Sequence, residues 1–120
     1  KPCLNFDRMS QSNRCVQKRK IHILPHFVLT QGEKRGNHAH YTTQQILTCV
    51  QGEIEVSLHD GKILEIVTLQ PNQWVFVDRM VWDSQKFMTG HDILMCVCST
   101  AYKKRDYIED FETFKRLVNS

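Results

Sequence analysis

The sequence contains no long hydrophobic run. No stretch approaches the about 18 apolar residues of a membrane span, and the first 20 residues are polar and basic, without the apolar centre of a secretory signal. The 120 residues also contain no linker, internal repeat or low-complexity segment. We therefore expect one cytoplasmic domain over residues 1–120 and no membrane partner.

Cysteine spacing excludes a zinc knuckle. The chain has five cysteines, an odd number: Cys3, Cys15, Cys49, Cys96 and Cys98. No pair of them has the spacing of a zinc knuckle. The last three lie inside apolar runs, which predicts reduced, buried cysteines that pack as small hydrophobic residues. The net charge of +3 is mild, and its one dense cluster, residues 18–20, is interpreted as a solvated strand edge or turn. We expect no nucleic-acid partner.

What the chain does have is a series of short apolar runs separated by turns. The clearest signal is the Asp60-Gly61 hairpin turn between two alternating segments. Seven strands are predicted: 21–29, 46–50, 54–58, 63–69, 74–77, 80–82 and 93–98. Apolar residues at helical spacing predict one helix over 106–118. The fold class is therefore all-β, a sandwich or small barrel with a short C-terminal helix.

The run from Arg35 to His40 carries two histidines two residues apart. On a β-strand successive side chains alternate between faces, so His38 and His40 would point to the same side. Three interpretations are open. With Asp83 the pair could form a two-His-one-carboxylate metal face. Both rings could be buried and merely hydrogen-bonded. The favoured interpretation is a metal-free acid–base site, because imidazole titrates near neutrality.

Several motifs together resemble the sugar 3,4-ketoisomerases, which are cupins of nucleotide-sugar pathways. The resemblance covers residues 21–120 and rests on these segments: 32–40, Gln45, Gly52, 60–61, 80–82, 99–102 and 106–108. It implies a single cupin jelly-roll barrel, no metal or other cofactor, and a homodimer. It also implies that the substrate is a dTDP-linked 4-keto-6-deoxyhexose. The keto group moves between C4 and C3 through an enediol, in deoxy-amino-sugar biosynthesis for surface glycans such as O-antigen.

The resemblance and the chemistry together suggest roles for individual residues. His38 and His40 are predicted to be the catalytic acid–base pair, without an assignment of which is which. Five residues are expected to bind substrate: Arg35, Gln45, Arg79, Asp83 and Tyr102. Arg35 suits a diphosphate or an enediolate, and its alternative is a salt bridge with Glu33. Gln45 shares the interior with His40 only if a bulge or strand break resets the register.

The sequence departs from the family pattern near the second half of the predicted site. The family usually reads Trp-His-Glu where this chain has Asp83 after Trp82, and Arg79 stands where a small residue is usual. Residues 103–104 are lysines in place of an acidic pair. A non-catalytic cupin that binds a nucleotide sugar is therefore the alternative function, beside a metal-dependent enzyme using His38, His40 and Asp83.

Overall fold

The computed structural model describes residues 22–25 and 34–120, which form two antiparallel sheets. The strands are β1 His22–Pro25, β2 Lys34–His40, β3 Gln45–Gln51, β4 Ile54–His59, β5 Leu64–Leu69, β6 Trp74–Val77, β7 Trp82–Phe87, β8 Ile93–Cys98 and β9 Tyr107–Ile108. One sheet has the order β1-β8-β3-β6, and the other has the order β5-β4-β7-β2-β9. The predicted all-β architecture is confirmed. The predicted 21–29 strand is described only at β1, and Cys3, Cys15, Glu33 and residues 18–20 lie outside the described residues.

The inward faces of the sheets meet in a hydrophobic core. Alternation is regular along β4, where three buried residues face inward: Ile54, Val56 and Leu58. Phe87, Leu94 and the three described cysteines share this interior, and those cysteines are free and buried as predicted. Burial of such side chains contributes about 25 cal/mol per Å² of apolar surface.

The strand predicted at 80–82 is wrong in its bounds. Met80 lies in a turn with a φ of +60°, and β7 runs from Trp82 through Asp83 and Gln85 to Phe87. The inward positions at Asp83 and Gln85 are polar. Hydrophobic alternation therefore could not reveal this strand.

The predicted start of the C-terminal helix is also wrong. The α-helix, α1, spans Phe111–Asn119, and the Asp110 side chain caps it by accepting a hydrogen bond from the Thr113 N–H at 2.9 Å. Residues 104–106 form a 3₁₀ turn, and β9 pairs with β2. The helix buries Phe114 against Ala39 and Ile108, which braces the strand that carries the two histidines. No helix in the described part of the chain is long and apolar enough to cross a membrane.

Candidate active site

A β-bulge in β2 aims the candidate site residues into the barrel. Arg35 pairs with Gln85, whereas His38 pairs with Asp83. Strand β2 therefore has one extra residue, Asn37, between Gly36 and His38 that has no partner on β7. Gly36 and Asn37 have φ values of +86° and +63°. Arg35 and His38 are three positions apart and would face opposite sides of a regular strand. The bulge turns both toward the face that carries Asp83 and Gln85.

A cavity of about 200 Å³ opens at this face. Four of the residues predicted to form the site line it together with His38: Arg35, Gln45, Asp83 and Tyr102. Strand β2 ends at His40 and β3 begins at Gln45. This is the strand break that Gln45 needs in order to share the interior with His40. The Gln45 amide Nε2 donates to Cys98 Sγ at 3.3 Å.

His40 and Arg79 are not among the described residues that line the cavity. His40 is buried behind His38, with ring centroids 4.9 Å apart. Arg79 instead donates to the carbonyl oxygen of Tyr41 at 3.5 Å. The structure therefore places His40 against His38 without exposing it to the cavity, and it leaves Arg79 outside the site.

Several further residues line the cavity that were not among the predicted site residues: Gln85, Cys96, Lys104, Tyr107 and Glu109. The centroid of the Tyr107 ring lies 4.7 Å from that of His38 and 4.5 Å from that of His40. Gln85 could have been found, because it lies two residues after Asp83 on the same strand face.

Burial keeps both histidines neutral. Burial lowers the pKa of His38, and burial together with the His38 ring lowers the pKa of His40 to about 4. A neutral imidazole at physiological pH has a free lone pair and can accept a proton. The two rings are therefore available as bases.

Asp83 has the opposite shift. Its carboxyl is 1% exposed, and burial raises its pKa to about 7. The Gln85 amide donates to Asp83 Oδ1 at 2.5 Å, whereas Oδ2 has no hydrogen-bond partner among the described residues. The site thus holds neutral bases on β2 and, on β7, a carboxyl group that can keep its proton near neutral pH.

A carboxylate outside the cavity fixes the backbone around His40. Asp106 Oδ1 accepts from the backbone N–H and hydroxyl of Thr42, at 2.9 and 2.8 Å, and Oδ2 accepts from Thr43. The Met80 N–H donates to the His40 carbonyl at 2.7 Å. These bonds hold the segment that joins His40 to Gln45.

The metal interpretation is not supported by the arrangement of side chains. Within the described ranges 22–25 and 34–120, no three His, Cys, Asp or Glu residues are grouped so that they could hold a metal ion. The triad of His38, His40 and Asp83 is therefore not formed as a ligand set.

The family model FdtA, described as WxcM-like, C-terminal, matches residues 9–119. The chain belongs to this family. A curated relative, the TDP-4-oxo-6-deoxy-alpha-D-glucose-3,4-oxoisomerase of Aneurinibacillus thermoaerophilus, is 34% identical over 91 residues. That match covers 74% of this FdtA-family chain and 66% of the relative, slightly under two thirds of its length.

Solved structures agree with the fold. WlaRA, a TDP-fucose-3,4-ketoisomerase from Campylobacter jejuni, superposes with a TM-score of 0.79 and 25% identity, covering 85% of this chain and 77% of that one. A 3,4-ketoisomerase from Helicobacter canadensis superposes with a TM-score of 0.75 and 27% identity, covering 84% and 75%. The FdtA-family chain therefore has the barrel of cupin-type sugar ketoisomerases, as the sequence predicted.

Proposed function

We propose that the chain is an isomerase that moves the keto group between C4 and C3 of a dTDP-linked 4-keto-6-deoxyhexose. Membership of the FdtA family supports this, as do three relatives whose names state 3,4-oxo- or ketoisomerase activity. The observation that carries the proposal is a half-buried His38 with a lowered pKa that lines a cavity beside several polar side chains, in ring contact with the buried imidazole of His40.

The reaction needs a base that removes the proton from C3 and an acid that delivers one to C4. His38 lines the cavity, so we assign to it the removal of the proton from C3. The ring of His40 lies in edge contact with that of His38 and is the second member of the pair. Desolvation lowers the pKa of both rings, so both are neutral at physiological pH and free to accept a proton.

Substrate binding is assigned to polar groups around the cavity. Arg35 and Lys104 offer cations to the diphosphate, and Tyr102, which is 63% exposed, offers a ring and a hydroxyl at the entrance. Gln45 offers its amide oxygen to a sugar hydroxyl, and Asp83 faces the same space. Arg79 contributes only if the sugar nucleotide extends past the cavity toward Tyr41.

The wider setting follows from the same proposal. The enzyme works on a soluble nucleotide sugar in the cytoplasm, without a cofactor, as a homodimer. Its product feeds the synthesis of amino-deoxy sugars for surface glycans such as O-antigen.

The test is turnover of dTDP-4-keto-6-deoxyglucose in deuterium oxide, followed by NMR. Wild-type protein is expected to form the 3-keto product with deuterium incorporated at carbon. His38→Asn and His40→Asn are each expected to lose at least about a hundredfold in kcat, which is what one general acid or base contributes. His91→Asn, an exposed histidine outside the cavity, is the matched control and is expected to keep wild-type turnover.

The outcomes separate the alternatives. Wild-type turnover by either site variant would remove that histidine from catalysis. Binding of dTDP without any turnover by the wild-type protein would overturn the isomerase and support the non-catalytic nucleotide-sugar-binding cupin.

A further inference from the structure

Asp83 is a buried carboxylic acid, and proton transfer by the two histidines gives it no role. It is the second residue of β7, lines the cavity, and lies directly opposite His38 in the strand register. Its Oδ2 is the one buried side-chain nitrogen or oxygen atom without a hydrogen-bond partner in the part of the chain that the structure describes. A buried polar atom without a partner is destabilising, so its retention calls for a bound group that completes it.

The surroundings fix one carboxyl oxygen and leave the other for a ligand. The Gln85 amide holds Oδ1, and Gly36 allows β2 to pass close by, since a Cβ atom there would lie 3.2 Å from Oδ1. Asp83, His38 and Tyr107 lie on three neighbouring strands of one sheet, β7, β2 and β9, and all three line the cavity. A substrate laid across this face of the sheet can have a carbon-bound hydrogen at His38 and a neighbouring oxygen at Asp83.

We propose that Asp83 is a further catalytic residue that moves protons between the two sugar oxygens, while the histidines move the protons on carbon. This rests on the proposed isomerase function. In the first half-reaction, the base removes hydrogen from C3, and the C–H electron pair becomes the C3–C4 double bond. The C4 carbonyl oxygen takes the proton of the Asp83 carboxylic acid, which yields the enediol.

The second half-reaction restores Asp83. The carboxylate takes the proton from the C3 hydroxyl, and that O–H electron pair becomes the C3 carbonyl. The π pair of the enediol takes a proton at C4 from the histidine pair. Atoms and charges balance with no added reactant, and the carboxyl group ends each cycle protonated. Burial raises the pKa of Asp83 to about 7, so both the acid and the carboxylate of Asp83 are accessible near neutral pH.

Other groups facing Asp83 also titrate or carry charge. They come from β2, β8 and the segment after β8: Arg35, His38, Cys96, Cys98, Tyr102, Lys104, Tyr107 and Glu109. Among these, a hydrogen bond from the Cys96 thiol lowers the pKa of Cys98 to about 7. A pH profile alone therefore cannot identify Asp83, and the test must compare variants.

The test measures kcat, KM and dTDP affinity from about pH 5 to about pH 9 for wild-type protein, Asp83→Asn and Asp92→Asn. The reaction begins from protonated Asp83, so wild-type kcat is expected to fall as pH rises above about 7. Asp83→Asn is expected to lose at least about a hundredfold in kcat and to lose that alkaline limb, with dTDP affinity retained.

Asp92 is the matched control. It is 0% exposed, but its carboxylate is bonded to the Glu53 and Gly90 N–H groups and to Thr89, away from the cavity. Asp92→Asn is expected to lower Tm while it keeps kcat and the alkaline limb. If Asp83→Asn fails to fold, Asp83→Ser replaces it in the same comparison.

Wild-type kcat and an unchanged alkaline limb in Asp83→Asn would overturn this role and leave the isomerase standing. A wild-type protein that binds dTDP but does not turn over the sugar would overturn both.

Discussion

The buried ionisable residues of the site are shifted in opposite directions by the same cause. Desolvation lowers the pKa of His40 to about 4 and raises the pKa of Asp83 to about 7. In both cases the neutral form is favoured, because charge is costly in a poorly solvated interior. The site therefore holds a neutral base and a carboxyl group that keeps its proton near neutrality.

The stability of the protein should show this state of Asp83. The native pKa of about 7 lies above the ordinary 3.8, so the native state binds the proton more tightly than the unfolded chain. The contribution of Asp83 to the free energy of unfolding is most favourable below pH 3.8 and declines as pH rises to about 7. Asp83→Asn is therefore expected to raise the free energy of unfolding by up to about 4 kcal/mol at pH 7, with little change near pH 4.

Thermal unfolding across this pH range checks the prediction, and Asp106→Asn supplies a control of opposite sign. Burial raises the pKa of Asp106, but hydrogen bonds from Thr43 and Thr42 outweigh it and leave the pKa lowered. Asp106→Asn should therefore be destabilised at neutral pH, with a smaller loss in acid. If Asp83→Asn changed the free energy of unfolding equally at pH 4 and pH 7, Asp83 would not have a raised pKa in the native state.

Individual site residues differed in how visible they were in the sequence. His38 and His40 were evident because their spacing alone puts two imidazoles on one strand face. The ring of Tyr107 was not, because its contact with both histidines depends on β9 pairing with β2 across more than 60 positions of chain. Local pattern carries no information about such a pairing.

At the scale of elements, the bulge in β2 decides which side chains enter the cavity. Gly36 has a φ of +86°, and a Cβ atom there would lie 2.9 Å from the Asp83 carbonyl oxygen and 3.0 Å from Ser84 Cα. Glycine is thus required twice at this position, for its conformation and for the close approach of β7.

Gly36→Ala is expected to destabilise the protein by about 1–3 kcal/mol and to reduce turnover by displacing Asp83. Gly90→Ala is the control, since Gly90 shares the positive φ, at +88°, but lies in the loop before β8. Chemical denaturation and kcat measurements on both variants separate the two requirements. If both lose equal stability and Gly36→Ala keeps full turnover, the close contact with β7 is unimportant.

Elements whose inward face is apolar were predictable, and those facing the site were not. Strands β4, β6 and β8 were found nearly to the residue because their buried positions are hydrophobic. The strand predicted at 80–82 overlaps β7 only at Trp82, because the next inward positions of β7, Asp83 and Gln85, are polar. The helix was extended backward because Ile108, which belongs to β9, happens to fit the helical period.

At the scale of the whole molecule, the net charge of +3 is small, but cations are present where an anion would enter. Arg35 and Lys104 line the cavity, with Glu109 as an opposing carboxylate. The other lining carboxyl, Asp83, is expected to carry little negative charge below its pKa of about 7. The cavity is therefore expected to attract a diphosphate, and this attraction should be screened by salt.

Affinity for dTDP should accordingly weaken as ionic strength rises, and Lys104→Gln should weaken it several-fold at low salt and reduce its salt dependence. Lys62→Gln is the matched control, because Lys62 is an exposed lysine in the β4–β5 turn and is not among the cavity-lining residues. Calorimetric titration of dTDP at low and high salt measures both effects. Because the two variants carry the same net charge, a difference between them reports local attraction at the cavity. Equal weakening by both would mean that only the overall charge of the molecule matters, and the diphosphate would then have to bind away from Lys104.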